Sequence, residues 1–122
     1  MKPKEVIARI PKSKFVENYI TLWNGGLKLT DKEQEVLVVV INMYNEILNS
    51  TKEPFASELL FSTKSRKVMM EKLNLNPQGF NNYFKGLKDK GVIFEKDDYY
   101  QLNPIIIPQT EILFKFILDE GI

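Results

Sequence analysis

The sequence predicts a mainly α-helical domain with a small β-hairpin, an α+β fold. Three observations carry that expectation. The stretch from Thr30 to Ser50 combines a helix-start signal with an apolar stripe of helical period. Two further helical segments meet at the short turn Asn74-Leu75-Asn76, with Pro77 just inside the second. Two alternating runs, VIFEK and YYQLN, flank Asp97-Asp98. The chain has 122 residues, 43% of them apolar, which suffices for one core without disulfides or metal.

Taken in order, residues 5–10 (EVIARI) alternate as a short strand would, and Pro11 breaks them. From Ser13 onward Phe15, Val16, Tyr19, Ile20 and Trp23 recur at helical spacing, and Gly25-Gly26 is expected to end that helix. Thr30 with Glu33 forms a capping box for the next. Val36, Leu37, Val40, Ile41, Tyr44, Ile47 and Leu48 make its inner stripe. The β-branched run Val38–Ile41 favours a strand by propensity alone, but cap, length and stripe together favour a helix. A connection follows over 52–61, with a short strand expected near Leu59–Phe61. Ser62 or Thr63 caps a helix through KSRKVMMEKL that turns Val68, Met69 and Leu73 inward. Asn76 caps the next, which buries Phe80, Tyr83, Phe84 and Leu87 and stops at Gly91. The hairpin comes after it, closed by Pro104. Thr110 is expected to cap a last helix, EILFKFILDEG. The chain thus divides into a basic arm and helix (1–29), a core (30–107) and an apolar C-terminal helix (108–122), all in one compact domain.

Composition excludes several chemistries. There is no cysteine and no histidine, so thiolate and imidazole metal sites, cysteine nucleophiles and a Ser-His-Asp arrangement are ruled out. Neither a Walker loop nor an activated nucleophile is present, and no enzyme activity, cofactor or small-molecule substrate is expected. The N-terminus has charge but no apolar signal core, and the run Val36–Ile41 is too short to span a bilayer. A soluble cytoplasmic protein that does not engage a membrane is expected, in the host cytoplasm if a phage encodes it.

The net charge of +1 hides a segregation. Residues 1–29 balance to +4, 30–60 to −4, 61–96 to +5 and 97–122 to −4. Such blocks suit a polyanion facing one side, or simply four solvated surfaces with uneven lysine usage.

Two helices, a tight turn between them, a glycine stop and a hairpin make up the frame of a winged helix-turn-helix. With Phe80, Phe84 and Leu87 inward, a step of 100° per residue puts Gln78, Asn82, Lys85 and Asp89 outward, flanked by Asn81 and Lys88. Amides pair in bidentate fashion with adenine edges, and lysine reaches guanine or phosphate. Gln78, Asn81, Asn82 and Lys85 are therefore the candidate base-reading residues on double-stranded DNA. Lys64, Arg66, Lys67, Lys88, Lys90 and Lys96 are the candidate phosphate contacts. A polar solvated helix face is the competing account of the same pattern. Asp89 and the hairpin tip Asp97-Asp98 would repel a phosphate backbone, while the acidic segments 30–60 and 97–122 and the apolar tail favour a rival role as a protein-docking module in phage assembly or beside a polymerase. The tail ILFKFIL is apolar on nearly every side, so it either completes this core or packs on a second copy. The latter would give a homodimer through the C-terminal helix.

The segments FVENYITLW, LKLTDKEQEVLVVVINMYNEI and STKSRKVMMEKLNLNPQGFNNYFKGLKDKGVIFEKDDYYQLNP together resemble the winged-helix replication initiators of firmicute-type plasmids and phages. Leu29, Thr30 and Glu33 match the family's helix start, and Tyr100, Asn103 and Pro104 its wing closure. The resemblance covers about residues 15–105. It implies sequence-specific duplex binding at an origin or operator, as replication initiator or transcriptional regulator of a phage or other mobile element. The acidic wing tip and the apolar tail after Pro108 depart from the family pattern.

Overall fold

The computed structural model describes residues 4–96, 99–113 and 116–118. Among these the chain is mainly helical, with five α-helices and one two-stranded antiparallel hairpin.

Helix α2 (Asp31–Leu48) is the hub. The Thr30 hydroxyl accepts from the Glu33 N–H at 3.1 Å, and the Glu33 carboxylate accepts from the Thr30 N–H at 2.9 Å. The expected capping box is therefore formed. Val36, Leu37, Val40 and Ile41 are wholly buried, because four other helices pack on this one: α1 (Phe15–Leu27), α3 (Phe55–Leu60), α4 (Thr63–Leu73) and α5 (Pro77–Asp89). Burying each such side chain stabilises by roughly 1.5–3 kcal/mol, which outweighs a strand preference spanning about 1 kcal/mol.

Helix α1 does not stop at the glycines. It runs through Gly25 and Gly26 to Leu27, and Lys28 takes the left-handed conformation at φ 56°. Asn24 accounts for the extension. Its carbonyl accepts from the Lys28 N–H at 2.9 Å, and its side chain accepts from the Leu29 N–H at 2.7 Å.

A helix, α3, replaces the strand expected at Leu59–Phe61. The Glu53 carboxylate accepts from the Ser57 N–H at 2.7 Å and from its hydroxyl at 2.6 Å, which satisfies donors of the first turn. Ala56, Ser57 and Leu60 face inward; Phe55 and Leu59 face solvent.

Ser62 caps α4, accepting from the Ser65 N–H at 3.3 Å. Met69 is buried and Leu73 half-buried, but Val68 turns outward, a third of a turn away from Met69. Asn74 closes the helix at φ 53°, and the Leu75 N–H reaches back to the Met70 carbonyl at 2.9 Å. Asn76 then caps α5, accepting from the Gly79 N–H at 2.7 Å, with Pro77 in its first position. Gly91, at φ 77°, ends it, and the Val92 N–H bonds the Leu87 carbonyl at 3.0 Å.

The hairpin pairs β1 (Ile93–Lys96) with β2 (Tyr99–Leu102), in register from Ile93 opposite Leu102 to Lys96 opposite Tyr99. The expected turn residues Asp97-Asp98 lie outside the described residues. Asn103 ties the hairpin's base to the α5 stop: its N–H donates to the Val92 carbonyl at 2.8 Å and its side-chain amide to the Gly91 carbonyl at 3.0 Å. Its side-chain oxygen accepts from the Ile105 N–H at 3.1 Å, starting a single 3₁₀ turn over Pro104–Ile106. The Tyr19 hydroxyl donates to the Ile105 carbonyl at 2.9 Å, fastening α1 to the same place.

Neither end of the chain follows expectation. Residues 5–10 form no strand; Val6 is 95% exposed, and alternation without a partner edge leaves backbone groups to water. The described residues of the expected last helix, 111–113 and 116–118, carry no regular structure, and Leu113, Phe116, Ile117 and Leu118 are exposed. A short apolar helix is marginal without a surface to bury it.

Candidate nucleic-acid interface

The amide-and-lysine face of α5 owes its exposure to the opposite face. Phe80 and Leu87 are wholly buried and Phe84 nearly so. Phe84 packs edge-on against Phe61 and Tyr100, with ring centres 5.7 and 5.3 Å away. With that side fixed, Gln78, Asn81, Asn82, Lys85 and Asp89 are all exposed. Among the described residues, the side chains of Gln78, Asn81, Asn82 and Lys85 form no hydrogen bond or ion pair within the chain. Their polar groups are therefore open to an external partner. Asp89 puts one negative charge on the same face.

The six cations expected on phosphate separate into two groups. Lys64, Lys67 and Lys96 are exposed. Lys67 lines a shallow hollow of about 400 Å³ with Asn74, Leu75 and Pro77, so it stands beside the start of α5. Lys88 is half-buried, its ammonium 5.0 Å from the centre of the Tyr100 ring.

The other two cations are engaged within the fold. Arg66 donates from Nε to the Phe61 carbonyl at 3.0 Å, and its guanidinium lies 4.8 Å from the Phe84 ring centre and 5.6 Å from that of Tyr100. It links the start of α4 to the aromatic cluster beneath α5 and the hairpin. Lys90 donates to the Lys28 carbonyl at 3.0 Å and forms an ion pair with Glu33. Both cations thus spend part of their hydrogen-bonding capacity inside the fold, Arg66 through Nε and Lys90 through two of its three N–H donors.

The Glu33–Lys90 pair was not foreseen from the sequence. Glu33 is buried, so the same carboxylate both caps α2 and receives Lys90 from the end of α5. Burial opposes its ionisation, but the hydrogen bonds from Lys90 and Thr30 and the Lys90 charge prevail and hold its carboxyl below the ordinary 4.5. Gly86 makes room for this: a Cβ there would overlap the Glu33 carboxylate. The capping box marked Glu33 only as a cap; a glycine inside an amphipathic helix, Gly86, is the one further signal that could have pointed to a close approach. Nothing local joined positions 33, 86 and 90.

No helix among the described residues is long and apolar enough to cross a membrane. Comparison of the chain with protein-family models, with curated proteins and with solved structures found no match to any of them.

Proposed function

We propose that this domain is a winged helix-turn-helix that binds double-stranded DNA sequence-specifically, as a replication initiator or transcriptional regulator of a phage or other mobile element. In this reading α4 and α5 are the helix pair, α5 lies in the major groove, and β1–β2 is the wing. The observation that carries it is the bare polar face of α5, where Gln78, Asn81, Asn82 and Lys85 stand exposed above a rigid aromatic base. Amides and lysine suit base edges, and a helix fits the major groove. Lys64, Lys67 and Lys96, with Lys88 at the margin, supply positive charge for phosphates; Arg66 and Lys90 hold the frame instead.

Selection from a randomised duplex pool, followed by titration of the enriched sequence, tests the proposal. Lys85→Ala and Asn82→Ala should each weaken the selected complex by roughly 1–3 kcal/mol and change random duplex less. Full affinity in both variants would remove these residues from the site.

One observation favours a second reading. Leu113, Phe116, Ile117 and Leu118 are 66–91% exposed, an apolar run suited to protein. A domain that docks protein through this tail, either a phage assembly component or a second copy of the chain, would show no enrichment in the selection and no affinity for random duplex at low salt.

A further inference from the structure

The helices α1 and α2 enclose an open cleft of about 500 Å³ that has no part in the DNA reading. Its floor is apolar: Ile20 is buried, and Val38, Val39 and Leu73 are half-buried. Its rim carries Glu17, Asp31 and Glu35, all exposed, and no lysine or arginine among the described residues lines it. Glu17 and Glu35 have exposed partners one turn away, Lys14 at 3.6 Å and Lys32 at 3.0 Å, and such pairs hold their charges only loosely. Asp31 has no ion-pair partner among the described residues.

The chain contains a segment of matching chemistry. Residues 4–10, KEVIARI, carry Lys4 and Arg9 against Glu5, a balance of +1, together with Val6 and Ile7, which are 95% and 78% exposed. A second exposed apolar segment, the tail over 108–122, carries Glu111, Asp119 and Glu120 against Lys115, a balance of −2, and would be repelled by the rim.

We propose that this cleft receives the N-terminal arm of a second copy of the chain, so that two copies exchange arms reciprocally. Val6 and Ile7 would cover Val38 and Val39, while Lys4 and Arg9 meet the Glu17, Asp31 and Glu35 rim. A two-fold exchange uses each cleft once and closes the assembly at two copies. In the structure the chain's own arm leaves Val6 and Ile7 in solvent rather than in the cleft. This inference does not depend on DNA binding.

Charge reversal tests it, read by sedimentation equilibrium of the full chain. The wild type should form dimers, with association weakened at least about tenfold between ~0.05 and ~0.5 M salt. The rim variant Glu17→Lys/Glu35→Lys and the arm variant Lys4→Glu/Arg9→Glu should each be monomeric. Mixed together, the two should form a heterodimer, since each then offers the charge that the other's cleft or arm requires. The arm lies outside the folded body, so its variant keeps the test valid even if the rim variant fails to fold. A monomeric wild type would overturn the proposal, and proteolytic protection of the arm in that monomer would identify docking within one chain. Dimers that survive both reversals would assign the interface elsewhere, the apolar tail included, and would overturn it equally.

Discussion

Glu33 holds two elements together through one buried carboxylate. It satisfies the first turn of α2 and neutralises Lys90 at the end of α5, two elements far apart in sequence. Lys90→Ala removes a hydrogen bond between charged groups and leaves a buried carboxylate with its cap alone. A loss of about 1.5–3 kcal/mol is expected in urea unfolding. Gly86→Ala tests the same contact from the other side. Alanine favours a helix interior by about 1 kcal/mol over glycine, yet here its methyl would displace a carboxylate held at both ends. The variant should be less stable by roughly 1–3 kcal/mol, and a stabilised variant would show that Glu33 moves aside at no cost. The pH dependence follows from the direction of the shift. Glu33 ionises more readily folded than unfolded, so its contribution is complete above the ordinary 4.5 and disappears as pH falls through the lower folded value. Wild-type stability should therefore drop more steeply below about pH 4.5 than that of Lys90→Ala.

Among the elements, α2 and α5 were legible because independent local signals agreed. Thr30 with Glu33 and Asn76 with Pro77 fixed their starts, and a stripe of helical period fixed their inner faces, except that Leu48 at the end of α2 is exposed and Ile47 and Tyr83 are half-buried. Asn76→Ala should cost about 1 kcal/mol of stability by the loss of that cap alone. Elsewhere the information was not local. Helix α3 is six residues long, and its apolar Phe55 and Leu59 point outward, so its stripe gave no true inner face. Its first turn depends on Glu53, whose carboxylate no cap pattern assigns. Asn24 carried α1 past two glycines in the same unannounced way. At the ends, an alternating arm and an apolar tail resembled a strand and a helix, but the described residues of both, 4–10, 111–113 and 116–118, carry no regular structure. The polar face of α5 was legible as a face. Which cations share it was not, because Arg66 and Lys90 are captured by rings and a carboxylate contributed from other elements.

At the scale of the whole molecule, charge divides the two proposed surfaces. The positive excess of residues 61–96 accompanies α4 and α5, whereas part of the negative excess of 30–60 lines the cleft between α1 and α2. A polyanion bound along α5 would release counterions in proportion to the phosphates neutralised, lowering log K by about 0.9 per contact for each unit of log salt. That proportionality separates cations that touch phosphate from cations that hold the fold. Lys64→Ala and Lys67→Ala should each flatten the salt slope by about 0.9 and weaken random and selected duplex alike. Arg66→Ala should leave the slope almost unchanged, because its guanidinium is already committed to the Phe61 carbonyl and to two rings. Its effect should appear in thermal unfolding instead, through lost packing under α5. Equal slope changes in all three variants would mean that Arg66 neutralises phosphate as the lysines do, and the division into contacting and supporting cations would fail.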